Sequence, residues 1–330
     1  MRIFFVQTRM IIIMGVSSVT KNNYKQMKIF RRNILLIGLI AFLSVNATSQ
    51  NEKSSVTESE SKIEKRDKRK KKKVKLPNID LSHWKVTLPV SNDAGKPVEI
   101  EPPEILDFAK MEVAKPYMYI DSTRGAIVFH AKPTNSKTKN TKYTRSELRE
   151  QIVPGENNVN WTFKQGAYMK GKLSMEATSR DSDGKYHRTI IMQIHGRLTN
   201  EQRDLIGADD NNAPPILKIY WDKGKIRVKT KVLKNLNASY EEMLHEDAWG
   251  NDKGFNFEQE VGFRKFTLEV KVSDGKMVVV LNKNEYKVYE NVHMKKWGIF
   301  ENYFKAGNYF QTRDEGAYSS VKFYELSVSH

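Results

Sequence analysis

From about Leu76 to the C-terminus, apolar and polar residues alternate in short runs separated by Gly, Asn, Asp and Pro. A period of two sends successive side chains to opposite faces, the pattern of a half-buried strand. Strands are predicted at Trp84–Leu88, Tyr117–Asp121, Ala126–Ala131, Thr144–Val153, Tyr168–Thr178, Arg188–His195, Ile216–Trp221, Ile226–Val232, Phe263–Val272, Met277–Leu281, Tyr303–Gln311 and Ser320–Ser327. Asp222-Lys223-Gly224-Lys225 and Ser273-Asp274-Gly275-Lys276 supply hairpin turns between consecutive runs. Helical periodicity is scarce, with a turn or two expected near Pro103–Lys110 and Met294–Lys296. Many short strands, frequent turns and no internal repeat predict one all-β sandwich domain over 76–330.

Three of these strands carry polar side chains on one face. In Arg145-Ser146-Glu147-Leu148-Arg149-Glu150, alternation puts Arg145, Glu147 and Arg149 together and sends Leu148 to the core. Two guanidiniums around a carboxylate suit recognition of carboxylate groups, although alone they also fit a surface ion-pair ladder. In Ile190-Ile191-Met192-Gln193-Ile194-His195, Gln193 and His195 share a face while Ile190, Met192 and Ile194 point the other way. A covered amide and imidazole both need partners, so the pair carries more information than a lone structural histidine. In Tyr303–Gln311, Lys305, Gly307, Tyr309 and Gln311 share a face, and Phe304, Ala306 and Phe310 oppose them. The absent side chain of Gly307 is read as room for a ligand.

Composition and charge refine this picture. The formal charge of +17 suggests nucleic acid until it is located: residues 1–75 hold 18 Lys/Arg and 5 Asp/Glu, a net +13, which leaves +4 for 76–330. Nucleic acid is therefore not the expected partner. Lys28, Arg31 and Arg32, the apolar run Ile34 to Val45, and Val45-Asn46-Ala47 follow the order of a secretory signal peptide. The run is short for a membrane span, which needs about 20 residues. Residues 1–47 are thus expected to be an over-extended start plus signal peptide, and 48–75, rich in Ser, Glu and Lys, a disordered basic linker. The protein is expected outside the cytoplasm, with no stable membrane insertion after cleavage. The chain contains no cysteine, which excludes disulfides, thiolate metal sites and cysteine nucleophiles. Gly196–Pro215 reads as a long loop; its Asp209-Asp210-Asn211-Asn212 run could hold calcium, but it lacks EF-hand spacing and a solvated turn is the favoured reading.

Pooled on one sheet, Arg145, Glu147, Arg149, Gln193, His195, Lys305, Tyr309 and Gln311 would form a cationic groove holding one imidazole and one phenol. Such a groove suits a polyanion. It has no pair of free carboxylates for glycoside hydrolysis, no glycine-rich phosphate cradle and no metal quartet, so no cofactor is expected. The segments Arg145–Arg149, Gln193–His195 and Tyr303–Gln311 resemble the three signature segments of the alginate lyases of polysaccharide lyase family seven. Trp84-Lys85-Val86-Thr87-Leu88-Pro89 and Pro215-Ile216-Leu217-Lys218 also resemble that family, so the likeness spans roughly Leu76 to His330. Phe310 departs from it, standing where the family commonly has Asn, and altered packing is expected there.

The resemblance implies a β-jelly-roll and cleavage of alginate by β-elimination. It implies that Arg145, Gln193 and His195 neutralise the uronate carboxylate, that Tyr309 is the catalytic acid, and that Glu147, Arg149, Lys305 and Gln311 bind substrate. Nearby cations are expected to favour the Tyr309 phenolate. Neutral His195 is the expected base for guluronate and Tyr309 for mannuronate; Ile194 between Gln and His leans toward guluronate or mixed blocks. A monomer is expected. Two other readings stay open from the residues: a non-catalytic polyuronate-binding module, and a lyase for another polyuronate such as glucuronan.

Overall fold

The computed structural model describes residues 74–136 and 141–330, and within them the alternating runs form two facing sheets. The expected signal peptide and nearly all of the expected linker lie outside the described residues.

In chain order the strands are β1 (Asn78–Ile79), β2 (Trp84–Ser91), β3 (Pro97–Ile100), β4 (Met118–Asp121), β5 (Ala126–Ala131), β6 (Arg145–Glu150), β7 (Trp161–Thr162), β8 (Ala167–Thr178), β9 (Thr189–Arg197), β10 (Leu217–Asp222), β11 (Lys225–Leu233), β12 (Trp249–Asn251), β13 (Phe255–Glu260), β14 (Phe266–Ser273), β15 (Lys276–Leu281), β16 (Glu285–Tyr289), β17 (Glu301–Phe310) and β18 (Ser319–Ser329). One sheet runs β16-β15-β14-β8-β18-β5-β4, with β1 beside β18. The other runs β12-β11-β10-β9-β17-β6-β2-β3, with β13 beside β11 and β7 beside β17. Pairing is antiparallel except between β1 and β18. The strands bearing the candidate chemistry, β6, β17 and β9, are therefore neighbours at the centre of the second sheet.

The core lies between the sheets. Alternation along β15 and over Ala167–Leu173 of β8 buries every second residue, and Trp161, Trp221, Trp297, Phe129, Phe304 and Phe323 are fully enclosed. Each such side chain contributes roughly 1.5–3 kcal/mol by leaving water. The β10–β11 hairpin turns on Lys223 and Gly224, both at positive φ, as a two-residue turn between twisted strands requires.

Among the described residues there are three short α-helices, α1 (Asn200–Leu205), α2 (Tyr240–Leu244) and α3 (Val292–Trp297), and, besides a 3-10 turn at Glu246–Ala248, a 3-10 segment at Glu104–Lys110. The last two were expected. The first corrects the reading of Gly196–Pro215 as a plain loop: Thr199 accepts from the Gln202 backbone and the Gln202 side chain accepts from Thr199, a capping box that starts a helix. Ser239 and Glu242 do the same for α2.

A second correction concerns Ile190. Ile219 of β10 faces Met192, and its successor Tyr220 faces Ile190, so β9 carries an extra residue at Ile191. Ile191 and Met192 both enter the main apolar cluster, whereas Ile190 lies outside it, opposite Tyr220 and Tyr309. Strict alternation fails there because the bulge shifts the face by one residue.

Candidate active site

Strand register assembles the site. On β6 and β17, Arg149 faces Lys305, Glu147 faces Gly307 and Arg145 faces Tyr309. On β17 and β9, Lys305 faces Gln193 and Tyr303 faces His195. A cleft of about 390 Å³ over this surface is lined in part by Arg145, Arg149, His195, Tyr303 and Lys305, with Thr141 and Asp210–Asn212 contributed by two loops. Ser146 and Leu148 turn away as expected: Ser146 donates to the Tyr117 carbonyl and Leu148 is in the core.

Glu147 is the anchor of the floor. It is fully buried, and its carboxylate accepts from Gln193 Nε2 at 2.5 Å, from Lys305 Nζ at 2.6 Å and from Arg145 Nη1 at 3.3 Å. Three donors from three strands converge on one carboxylate, so its charge offsets that of two cations and fixes the Gln193 amide. An acid that is wholly enclosed and so engaged holds its neighbours in place.

Gly307 has φ +141°, and a Cβ built on it would meet Ser146 O at 2.7 Å and Glu147 Cα at 2.8 Å. This corrects the reading of Gly307 as room for a ligand: the space is taken by the backbone of β6, and the glycine permits the close approach of β17 to β6.

His195 is half-buried, and its Nδ1 lies 3.0 Å from the Gly196 carbonyl. A carbonyl only accepts, so Nδ1 carries the hydrogen and Nε2 keeps its lone pair. Burial, together with the cations Lys305, Lys218 and Arg145, pushes this imidazole down to about 3, so it is neutral at physiological pH. Its ring stacks on Tyr303 with centroids 5.3 Å apart and planes at 15°. The Arg149 guanidinium carbon lies 4.1 Å from the same tyrosine ring.

The Arg145 guanidinium carbon sits 4.1 Å from the Tyr309 ring centroid, and Tyr143 meets that ring edge-on at 6.4 Å. Burial raises the Tyr309 pKa, and the opposing pull of Arg145 does not overcome it. Arg145 does pull toward the phenolate as expected, but the cost of burying the anion exceeds that attraction, and the net shift favours the protonated phenol.

The remaining candidates are placed as follows. Arg149 donates to the Glu150 carbonyl at 2.6 Å, the Asn157 carbonyl at 2.8 Å and Asn160 Oδ1 at 2.9 Å, so most of its donors secure the loop after β6. Lys305 is nearly enclosed, and burial pushes it down to about 8. Gln311 lies just beyond β17, where its side chain donates to the Tyr309 carbonyl at 3.1 Å. Phe310 is fully buried in a small cluster with Ala131 and Ala317, edge-on to His187.

Tyr303, Lys218 and Arg197 were not singled out in the sequence. Each has the same parity as a named neighbour: Tyr303 with Lys305, Arg197 with His195, and Lys218 through its register with Gln193. Among the described residues no group of three or more His, Cys, Asp or Glu is placed to hold a metal ion.

A neutral base with a free lone pair, a protonated phenol, and guanidinium and amide donors on three adjacent strands can remove a proton, deliver one, and stabilise the anion formed between. The profile of a family described as alginate lyase matches residues 79–330. An alginate lyase from Klebsiella pneumoniae is 27% identical over 288 residues, covering 76% of this chain and 90% of that protein. The structure of a variant of the family 7 alginate lyase A1-II' in complex with product (GGG) is 30% identical, covers 77% of this chain and 97% of that one, and superposes with a TM-score of 0.60. The alginate lyase PA1167 from Pseudomonas aeruginosa, 23% identical over 76% of this chain and all of its own, shares the fold with a TM-score of 0.53. The two-sheet sandwich is the β-jelly-roll of these lyases, and the chain belongs to the alginate lyase family.

Proposed function

We propose that the protein cleaves the glycosidic bonds of alginate by β-elimination, using the residues gathered on β6, β17 and β9. The observation that carries this reading is the convergence of Arg145, Gln193 and Lys305 on Glu147 beside a neutral His195 and a protonated Tyr309.

The reaction removes the hydrogen at C5 of a uronate, where the adjacent carboxylate opposes the build-up of negative charge. Arg145 and Gln193, both oriented by Glu147, hydrogen-bond that carboxylate and stabilise the enolate as it forms. In guluronate, His195 Nε2 takes the C5 proton. The electron pair forms the C4–C5 double bond, the C4–oxygen bond breaks, and Tyr309 donates its proton to the departing oxygen. Mannuronate presents its C5 proton on the opposite side, where Tyr309 must first lose its own proton to act as base. A phenol held protonated makes that route the harder one, which favours guluronate-containing blocks. Tyr303, itself packed against the Arg149 guanidinium, stacks on the His195 ring and helps to orient it.

The neighbouring A1-II' enzyme has been solved with a substrate (GGMG), and alginate oligosaccharide is the ligand class we assign to this cleft. The arrangement favours a lyase over a passive binding module, because binding alone does not call for a free imidazole lone pair beside a protonated phenol. The signal peptide read within residues 1–47 supports export of the enzyme from the cytoplasm. No helix among the described residues is long and apolar enough to cross a membrane. A panel of polyguluronate, polymannuronate and glucuronan, followed by the ultraviolet absorbance of the unsaturated product, tests the reading. Product from alginate supports it, whereas product from glucuronan alone, or binding without product, overturns it.

A further inference from the structure

The register links one row of side chains across six strands of the site-bearing sheet. Lys85 on β2 faces Arg149 on β6, Arg149 faces Lys305 on β17, Lys305 faces Gln193 on β9, Gln193 faces Lys218 on β10, and Lys218 faces Lys229 on β11. The two halves of this row differ in what the cations touch. On the β2–β17 side, Lys85 is paired with Glu99 at 2.6 Å and Glu101 at 3.3 Å, Lys305 with Glu147 at 2.6 Å, and Arg149 donates to the Glu150 and Asn157 carbonyls. On the β10–β11 side, no side-chain hydrogen bond or ion pair engages Lys218, Lys229 or Lys231 among the described residues; Glu246 is the acid whose charge reaches Lys218 and Lys231.

Lys218 is half-buried, and burial lowers its pKa to about 8. Keeping an ammonium partly out of water with no counter-charge in contact costs free energy that a docking carboxylate would recover. Adjacent strands are about 4.8 Å apart. Lys218 therefore stands one strand beyond Gln193, a displacement on the scale of one pyranose ring, and Lys229 one strand further.

We infer that Lys218, extended by Lys229 and Lys231, forms a carboxylate-binding subsite for the uronates that flank the reacting sugar on the β10–β11 side of the cleft. The inference rests on the polyuronate reading above. The acids on the β2–β3 side balance their own cations, so this side supplies the uncompensated charge that sets how the polyanion lies across the sheet. Lys218 acts by holding the chain, with the proton transfers left to His195 and Tyr309.

The test measures calorimetric binding of an alginate hexasaccharide to the Tyr309→Phe enzyme, with and without Lys218→Gln, at low and raised salt. Loss of one charge-assisted contact should weaken binding about tenfold. It should also flatten the salt dependence, and Lys218→Arg should restore much of the affinity. In the active enzyme, Lys218→Gln should raise KM for long oligomers while kcat changes little. Lys229→Gln, at a half-exposed position, should give a smaller loss in the same direction without challenging the fold. Equal affinity with and without Lys218, or a fall in kcat at constant KM, overturns the subsite. Absence of unsaturated product from the wild-type enzyme overturns the lyase reading instead, and the binding comparison still decides the subsite.

Discussion

Gln193 Nε2 donates to Glu147 Oε1 at 2.5 Å, so an amide assigned to substrate is oriented by an acid that solvent does not reach. Removing that acid leaves Lys305 and Arg145 close together without their shared counter-charge. Glu147→Ala should therefore cost about 3–5 kcal/mol of stability, as expected when one partner of a buried charge network is deleted. Denaturant unfolding measures this, and turnover should fall with it. A variant as stable as wild type would show that the network does not hold the floor.

Gly307→Ala tests the close approach of β17 to β6. Its Cβ would press on backbone atoms of Ser146 and Glu147 at a φ that L-residues avoid, so neither neighbour can give way as a side chain would. We expect a loss of roughly 1–3 kcal/mol, seen as a lowered thermal midpoint. Unchanged stability would mean that the strands separate freely there.

The pH dependence follows from three groups. His195 titrates near 3 in the folded chain against 6.5 when free, so between those values the unfolded chain holds a proton that the folded chain lacks. Stability from this group therefore rises with pH across that window, and falls as pH drops through it. Lys305 and Lys218 titrate near 8 against 10.5, so their contribution to stability rises between 8 and 10.5 by the same sign. Activity should behave differently. The base stays neutral well below pH 6.5, while loss of the ammonium charges above about 8 should raise KM for alginate. Initial rates across pH check both limbs; an acid limb centred near the free imidazole value would contradict the buried setting of His195.

The roles of the two proton-transfer groups are separable by substrate. His195→Ala should reduce polyguluronate cleavage by a factor of about 10² to 10⁴, and polymannuronate cleavage by less. Initial rates on the two polymers resolve this, and equal losses would refute separate bases.

Much of the sheet that carries the site was legible because alternation in Arg145–Glu150 and Tyr303–Gln311 survives folding: Leu148, Phe304, Ala306 and Phe310 are all buried. Alternation failed at Ile190, since a bulge depends on the register of both flanking strands and leaves no local mark. The short helices α1 and α2 did leave one, in Thr199/Gln202 and Ser239/Glu242. Strands β13 and β16 were hidden for another reason: they carry Glu, Gln and Lys with much exposed surface, so their apolar contrast is weak. Composition also could not tell that Glu147 would be enclosed, or that burial would outweigh Arg145 at Tyr309. Both depend on how deep the strand sits.

The most direct test of the central claim is the Tyr309→Phe variant, which deletes one hydroxyl and leaves the ring that packs under Arg145 and against Tyr143. Ultraviolet absorbance should show the wild-type enzyme releasing unsaturated product from alginate, and the variant releasing essentially none from either block type while still binding the polymer. An active Tyr309→Phe enzyme would contradict the assignment of the phenol as the acid that completes the elimination.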